Sequence, residues 1–118
     1  MPIDRQQLGL QAEQRATLHL QQHGFEIVAR NFRCRMGELD IVARRGPLLI
    51  IAEVRLRSGA AYGGAAASIT RSKRIRILRT ARYLLACRPL LATLTVRFDT
   101  LLLDGPNGPL EWIEDAFC

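Results

Sequence analysis

Asp40 and Glu53 are the residues whose chemistry most needs a reason in this sequence. Each interrupts an apolar run, residues 39–43 for Asp40 and residues 48–54 for Glu53, with Gly46-Pro47 between the runs. A carboxylate taken out of water costs on the order of several kcal/mol unless a cation or hydrogen-bond donors compensate it. Two such runs across a Gly-Pro turn read as neighbouring strands, which brings the carboxylates together. Paired hard oxygens suit magnesium or manganese, an ion that keeps several waters and takes further oxygens from a phosphate. The Val54 carbonyl can join the set. An ion held there acidifies a bound water and polarises a phosphate, and Arg55, two residues beyond Glu53 and on the same strand face, projects beside that water.

Elements that can position these groups follow from the pattern around them. Residues 5–23 carry Ala, Leu, Gln and Arg without proline before Gly24 and predict a first helix. Gly9, Ala12, Ala16 and Leu20 share one face of it, and Glu13 falls in the middle of that face, pointing inward or reaching solvent beside Arg15 and Thr17. Residues 25–33 predict a strand, and residues 37–44 and 48–56 a hairpin. Alternation puts Leu39, Ile41 and Ala43 on one face and Glu38, Asp40 and Val42 on the other. In the third strand Leu48, Ile50, Ala52, Val54 and Leu56 oppose Leu49, Ile51, Glu53, Arg55 and Arg57, so the strand is central and its charged end opens to a cleft.

The glycine-rich residues 58–67 read as a mobile loop carrying Tyr62. Residues 68–87 predict a second helix ended by Pro89, with Ile77, Leu78, Ala81, Leu84 and Leu85 inward. Arg71, Arg76, Arg79 and Arg82 form its basic side, either a phosphate-tracking surface or a solvated face. Residues 94–103 predict a strand, the Asp-Gly-Pro-Asn-Gly stretch from Asp104 a turn, and residues 110–113 a short edge strand. The order is helix, three strands, helix, one or two strands, an α/β fold with a mixed central sheet flanked by helices.

The 118 residues suit one domain over 1–118, and 48% apolar content is enough for a core without disulfides. A formal charge of +6 favours an anionic partner, nucleic acid before an acidic membrane surface. Lys73 is the single lysine among 17 basic residues. Cys34, Cys87 and Cys118 lack paired zinc spacing and read as free thiols in a reducing compartment. With no signal-peptide core and no membrane-length apolar run, the expected location is cytoplasmic. Glu38 either supports Asp40 or pairs with Arg44. Asp99 reads as a structural partner of Arg97, His19 and His23 as exposed, and Trp112 and Phe117 as core or dimer contacts. Arg33, Arg35, Arg44, Arg45 and Arg57 form a basic rim to the hairpin.

An acidic residue followed one strand later by Glu-x-basic, in this element order, resembles the PD-(D/E)xK nucleases. More closely, the chain resembles the YraN family of small bacterial proteins with a restriction-endonuclease-like αβββαβ core. The resemblance covers most of the chain. It rests on Glu13, Arg30-Asn31, Gly37-Glu38-Leu39-Asp40, Glu53-Val54-Arg55 with Arg57, Lys73 with Ala81, Tyr83 and Leu84, and Arg97-Phe98-Asp99. It implies metal ligands at Asp40 and Glu53 with Glu13 as the helix acid, and magnesium or manganese as cofactor. The pattern expects lysine at position 55. Arginine cannot deprotonate in a protein, so Arg55 leaves electrostatic stabilisation and removes general-base catalysis.

Three functions are open on this reading: a metal-dependent DNA endonuclease or resolvase-like enzyme, a catalytically impaired nucleic-acid-binding module, and an interaction or scaffold protein. Catalysis falls to Asp40, Glu53, Arg55 and Glu13. Nucleic acid, DNA before RNA, would be held by Lys73, Arg71, Arg76, Arg79, Arg82, Arg57 and Tyr62. So short a chain has no room for a separate specificity domain, so recognition of shape, by a homodimer, is expected over base reading.

Overall fold

A computed structural model describes residues 5–57, 69–105 and 107–117, with Arg5 and Arg57 described by their backbones. Tyr62 with the whole glycine-rich stretch 58–67, Cys118 and the Arg57 side chain therefore lie outside the described residues. The elements are α1 (Arg5–Gln22), β1 (Glu26–Cys34), β2 (Gly37–Arg45), β3 (Leu48–Arg57), α2 (Arg71–Cys87), a 3-10 turn (Leu91–Thr93), β4 (Thr95–Asp104) and β5 (Leu110–Ile113). The predicted order holds, with boundaries moved by a residue or so, except that α2 begins three residues later, capped by the Thr70 hydroxyl, which accepts from the Lys73 backbone N–H.

The strands form one sheet in the order β1-β2-β3-β4-β5. The β3–β4 pair is parallel and the others antiparallel. A parallel pair cannot be joined by a tight turn, and α2 lies within the crossover between them. β3 is central, as its apolar character on both faces predicts.

One face of the sheet packs Ile41, Ala43, Ile50, Ala52 and Leu101 with Ala16 and Leu20 of α1. The other packs Val42, Leu49 and Ile51 against Ile77, Ala81 and Leu84 of α2. Gly24, at φ +85°, ends α1, and the Phe25 N–H reaches back to the Leu20 carbonyl at 3.0 Å, closing the helix in a Schellman-type turn.

Strict alternation of β2 fails at one place. Leu39 packs with Val42 on the α2 side, whereas Ile41 and Ala43 pack on the α1 side, so the predicted grouping of Leu39 with Ile41 and Ala43 is corrected. Between them lies Asp40. The β2–β3 ladder runs from Arg45 and Leu48 to Ile41 and Ala52, so Asp40 and Glu53 stand just beyond its last pair.

Candidate metal and nucleic-acid site

Where the ladder stops, side chains replace it. The Asp40 backbone N–H donates to Glu53 Oε2 at 3.3 Å, and the Val54 N–H donates to Asp40 Oδ2 at 2.9 Å. Each carboxylate thus stands in for a ladder carbonyl of its neighbour, and the two acids interlock where the strands part. Glu53 is 1% exposed. Burial, then repulsion from Asp40, pushes its carboxyl up to about 8, against weaker pulls from the Asp40 N–H, Lys73 and Arg55. Burial chiefly raises Asp40 as well, with the Val54 N–H opposing and Glu13 adding repulsion.

Two lobes of a cleft meet at this pair. The α2-side lobe, about 420 Å³, is lined by Asp40, Glu53, Gly37, Lys73, Arg76 and Ile77 among others. The α1-side lobe, about 440 Å³, is lined by Glu13, Asn31, Asp40, Val54, Leu56 and Lys73 among others. Arg33, Glu38, Asp40 and Lys73 line both.

Close approach of α2 depends on Gly37. A Cβ there would come within 2.9 Å of the Thr80 hydroxyl, and its φ of +154° is one that side-chain-bearing residues rarely adopt. Asn31 holds a left-handed backbone at φ 52° and donates from Nδ2 to Glu13 Oε2 at 3.2 Å. A non-glycine residue in that region is uncommon, and here it aims an amide at an acid of the cleft.

The predicted site residues divide into those brought together and those left apart. Asp40 and Glu53 meet. Glu13 faces the adjoining lobe, and no group of three His, Cys, Asp or Glu side chains among the described residues could hold one ion together. The expected acidic triad is therefore a carboxylate pair with a third acid standing off.

Arg55 lines neither lobe, and its Nε is buried with no hydrogen-bond partner among the described residues. Of the basic side of α2, Lys73 and Arg76 line the cleft, whereas Arg71, Arg79 and Arg82 are exposed away from its lining. At 100° per residue those three positions turn to the side of the helix opposite Lys73.

Several lesser expectations are settled by contacts. Glu38 pairs with Arg33 at 2.7 Å rather than with Arg44 or Asp40. Arg44 donates to the Gly46 carbonyl of the hairpin turn, whereas Arg45 lies over Phe25 and donates to the His23 carbonyl after α1, so neither forms a rim around the site. His19 is half-buried, stacked on exposed His23 at 4.4 Å, with both edge-on to Trp112. Cys34 and Cys87 are free thiols. Asp99 pairs with Arg97, as expected.

Thr100 was not visible from sequence as part of this neighbourhood. It stands beside Glu53 in the parallel β3–β4 ladder, fully buried, and its hydroxyl has no partner. Two orphan polar atoms, Arg55 Nε and Thr100 Oγ1, thus lie on the strands that carry or flank Glu53. Buried polar groups without partners are rare in native proteins. Among the described residues no cationic side chain forms an ion pair with Asp40 or Glu53. A hard divalent cation fits this donor set: a buried and a half-buried carboxylate with no ion-pair partner among the described residues, open on one side to the cleft.

Among the described residues no helix is long and apolar enough to cross a membrane. The family model "Uncharacterised protein family UPF0102" matches residues 12–103. A UPF0102 protein of Nitrosomonas europaea is 45% identical over 111 residues, 92% of each chain. One from Xanthomonas campestris pv. campestris is 45% identical over 117 residues, 99% of this chain and 96% of its own. One from Dechloromonas aromatica is 47% identical over 109 residues, 92% of this chain and 87% of its own.

Proposed function

The chain belongs to the UPF0102 family, and from the geometry of its cleft we propose that it is a metal-dependent nuclease-like enzyme acting on DNA. The observation that carries this reading is the interlocked Asp40–Glu53 pair, with Glu53 buried and Asp40 half-buried, unpaired by any cationic side chain among the described residues, and open to a cleft lined by cations. A structural carboxylate pair has no reason to go without a cationic partner at the mouth of a cleft.

Asp40 and Glu53 would hold magnesium or manganese. When bound, that ion supplies Lewis-acid polarisation of the phosphate and an acidified water. The protein groups do the rest. Lys73, Arg33 and Arg76 line the cleft with positive charge that draws and seats a phosphodiester. Glu13, oriented by Asn31, presents a second acceptor across the α1-side lobe for waters around the site. Arg55 lies outside both lobes and has no proton it can transfer.

Thermal melts with manganese or magnesium test the site. The ion should raise the melting temperature of the parent by several degrees and leave Asp40→Ala unmoved, since a ligand of the folded state alone must stabilise it. The same metals should support cutting of a nicked, branched or single-stranded DNA, abolished in Asp40→Ala. No metal shift in the parent, or cutting that survives Asp40→Ala, overturns the reading. A second reading is favoured by the position of Arg55 outside both lobes: a module that binds DNA through Lys73, Arg33 and Arg76 without cutting. It predicts salt-sensitive binding with no product at any metal concentration.

A further inference from the structure

We propose that Lys73, from the first turn of α2, is the catalytic cation of this site and takes the part that the strand motif assigns to position 55. The inference rests on the nuclease-like reading above. Among the described residues Lys73 is the one cation besides Arg33 that lines both lobes. Arg33 is engaged with Glu38, and its side chain is 72% exposed, so it belongs to the rim. Arg76 reaches the α2-side lobe alone. Lys73 is half-buried, and among the described residues its ammonium closes no ion pair. It lies within the field of both acids.

The fold holds Lys73 in place through its backbone. Thr70 caps α2 on the Lys73 N–H, and Ile77 and Thr80, on the same side of the helix, are buried. Thr80 lies where a side chain at residue 37 would collide, so Gly37 lets the helix settle onto the end of β2 that carries Asp40. Arg55 has no comparable access, because it lines neither lobe and its Nε is enclosed. A chain that uses arginine almost everywhere keeps its single lysine at this position. An ammonium is a compact point charge with three rotatable donors, whereas a guanidinium is a wide planar fork. In a recess between two acids the compact group fits closer to a phosphate.

In hydrolysis a water oxygen bonds to phosphorus, and the P–O bond to the leaving sugar oxygen breaks with its electron pair. The water gives up a proton to bulk solvent, and the leaving oxygen takes one from it. Lys73 keeps all three protons throughout. It donates to a non-bridging phosphate oxygen, where negative charge grows in the transition state, and acts as a fixed electrostatic partner.

Lys73→Met and Arg55→Met, each compared with the parent, test the assignment by three measurements. The first is the manganese-induced rise in melting temperature. The second is the affinity for a fluorescein-labelled nicked duplex in calcium, and the third is manganese-supported cutting of that duplex. Lys73→Met should keep the metal shift, bind the duplex about tenfold more weakly with a salt slope reduced by roughly one, and cut at least about a hundredfold more slowly. Lys73→Arg should restore binding but little of the cutting, and Arg55→Met should alter both by less than about threefold. Loss of the metal shift in Lys73→Met, or a larger effect from Arg55→Met, overturns the assignment while leaving the carboxylate site standing. A parent that shows neither metal shift nor cutting overturns the underlying reading itself.

Discussion

Asp99 and Glu53 are both carboxylates buried on neighbouring central strands, yet the protein treats them in opposite ways. Asp99 is fully buried and accepts four hydrogen bonds, two on each oxygen. Arg97 Nε and the Asp115 N–H donate to Oδ1, and Arg97 Nη2 and Trp112 Nε1 donate to Oδ2, all within 2.8–3.0 Å. Glu53 is as deeply buried but accepts one backbone N–H at 3.3 Å. The first arrangement closes the chain: it ties β4 to β5 and the C-terminal turn. The second stays open towards a cleft, and its few donors are the observation on which the proposed metal site rests. Burial alone therefore distinguishes nothing; donor count does.

Removing the satisfied acid breaks this contrast most forcefully. Asp99→Ala would strand the Trp112 and Asp115 donors and uncouple Arg97, so urea unfolding should show a loss of about 3 kcal/mol. Glu53→Gln should do the reverse in metal-free protein, because it deletes a charge that the fold desolvates without repayment, and stability at pH 8.5 should rise by about 1–2 kcal/mol. If both substitutions destabilise alike, the two acids are not different in kind.

The same contrast has a pH signature. A carboxyl that titrates near 4.5 when unfolded and near 8 when folded holds its proton more tightly in the native state. Between those values the folded protein binds more protons than the unfolded one, so stability falls as pH rises. The melting temperature of metal-free protein should therefore drop by several degrees from pH 5 to pH 8.5. Manganese at pH 8.5 should recover it, and Glu53→Gln should flatten the profile. A parent profile flat across this range would remove the electrostatic basis for the open site.

Much of this was legible before any coordinates. Period-two alternation on either side of Gly46-Pro47 sets the hairpin, and the apolar character of both faces of residues 48–52 makes β3 central, so the meeting of Asp40 with Glu53 follows from local rules. The Asp99–Arg97 pair was legible too, because two residues apart on a strand means one face. What stayed hidden depends on rotation and on distance in sequence. Whether Lys73 or Arg79 looks into the cleft turns on the phase of α2 over the sheet, which Gly37 decides from far away. Trp112 and Asp115 reach Asp99 through the β5 return. The break of alternation at Asp40 arises because side chains replace ladder bonds there, and a pattern of residue types does not carry that substitution.

Asn31 offers the smallest and sharpest test, because it separates backbone strain from the orientation of an acid. The two non-glycine residues with left-handed backbones are Asn31 and Asp115 among the described residues, and each delivers a donor to an acid. At Asp115 the donor is the backbone N–H, which any residue retains. At Asn31 it is the side-chain amide, which only the side chain provides. Asn31→Ala should lose about 1 kcal/mol, since a Cβ without a polar group is disfavoured at positive φ. Asn31→Gly relieves that strain, and its stability should stay within about 0.5 kcal/mol of the parent. Both variants release Glu13 equally. If Glu13 matters to the site through its orientation, the two should lose duplex cutting by the same few-fold factor despite their different stabilities. A cutting defect that tracks stability instead would make Asn31 a structural residue of β1, and Glu13 a bystander to the carboxylate pair.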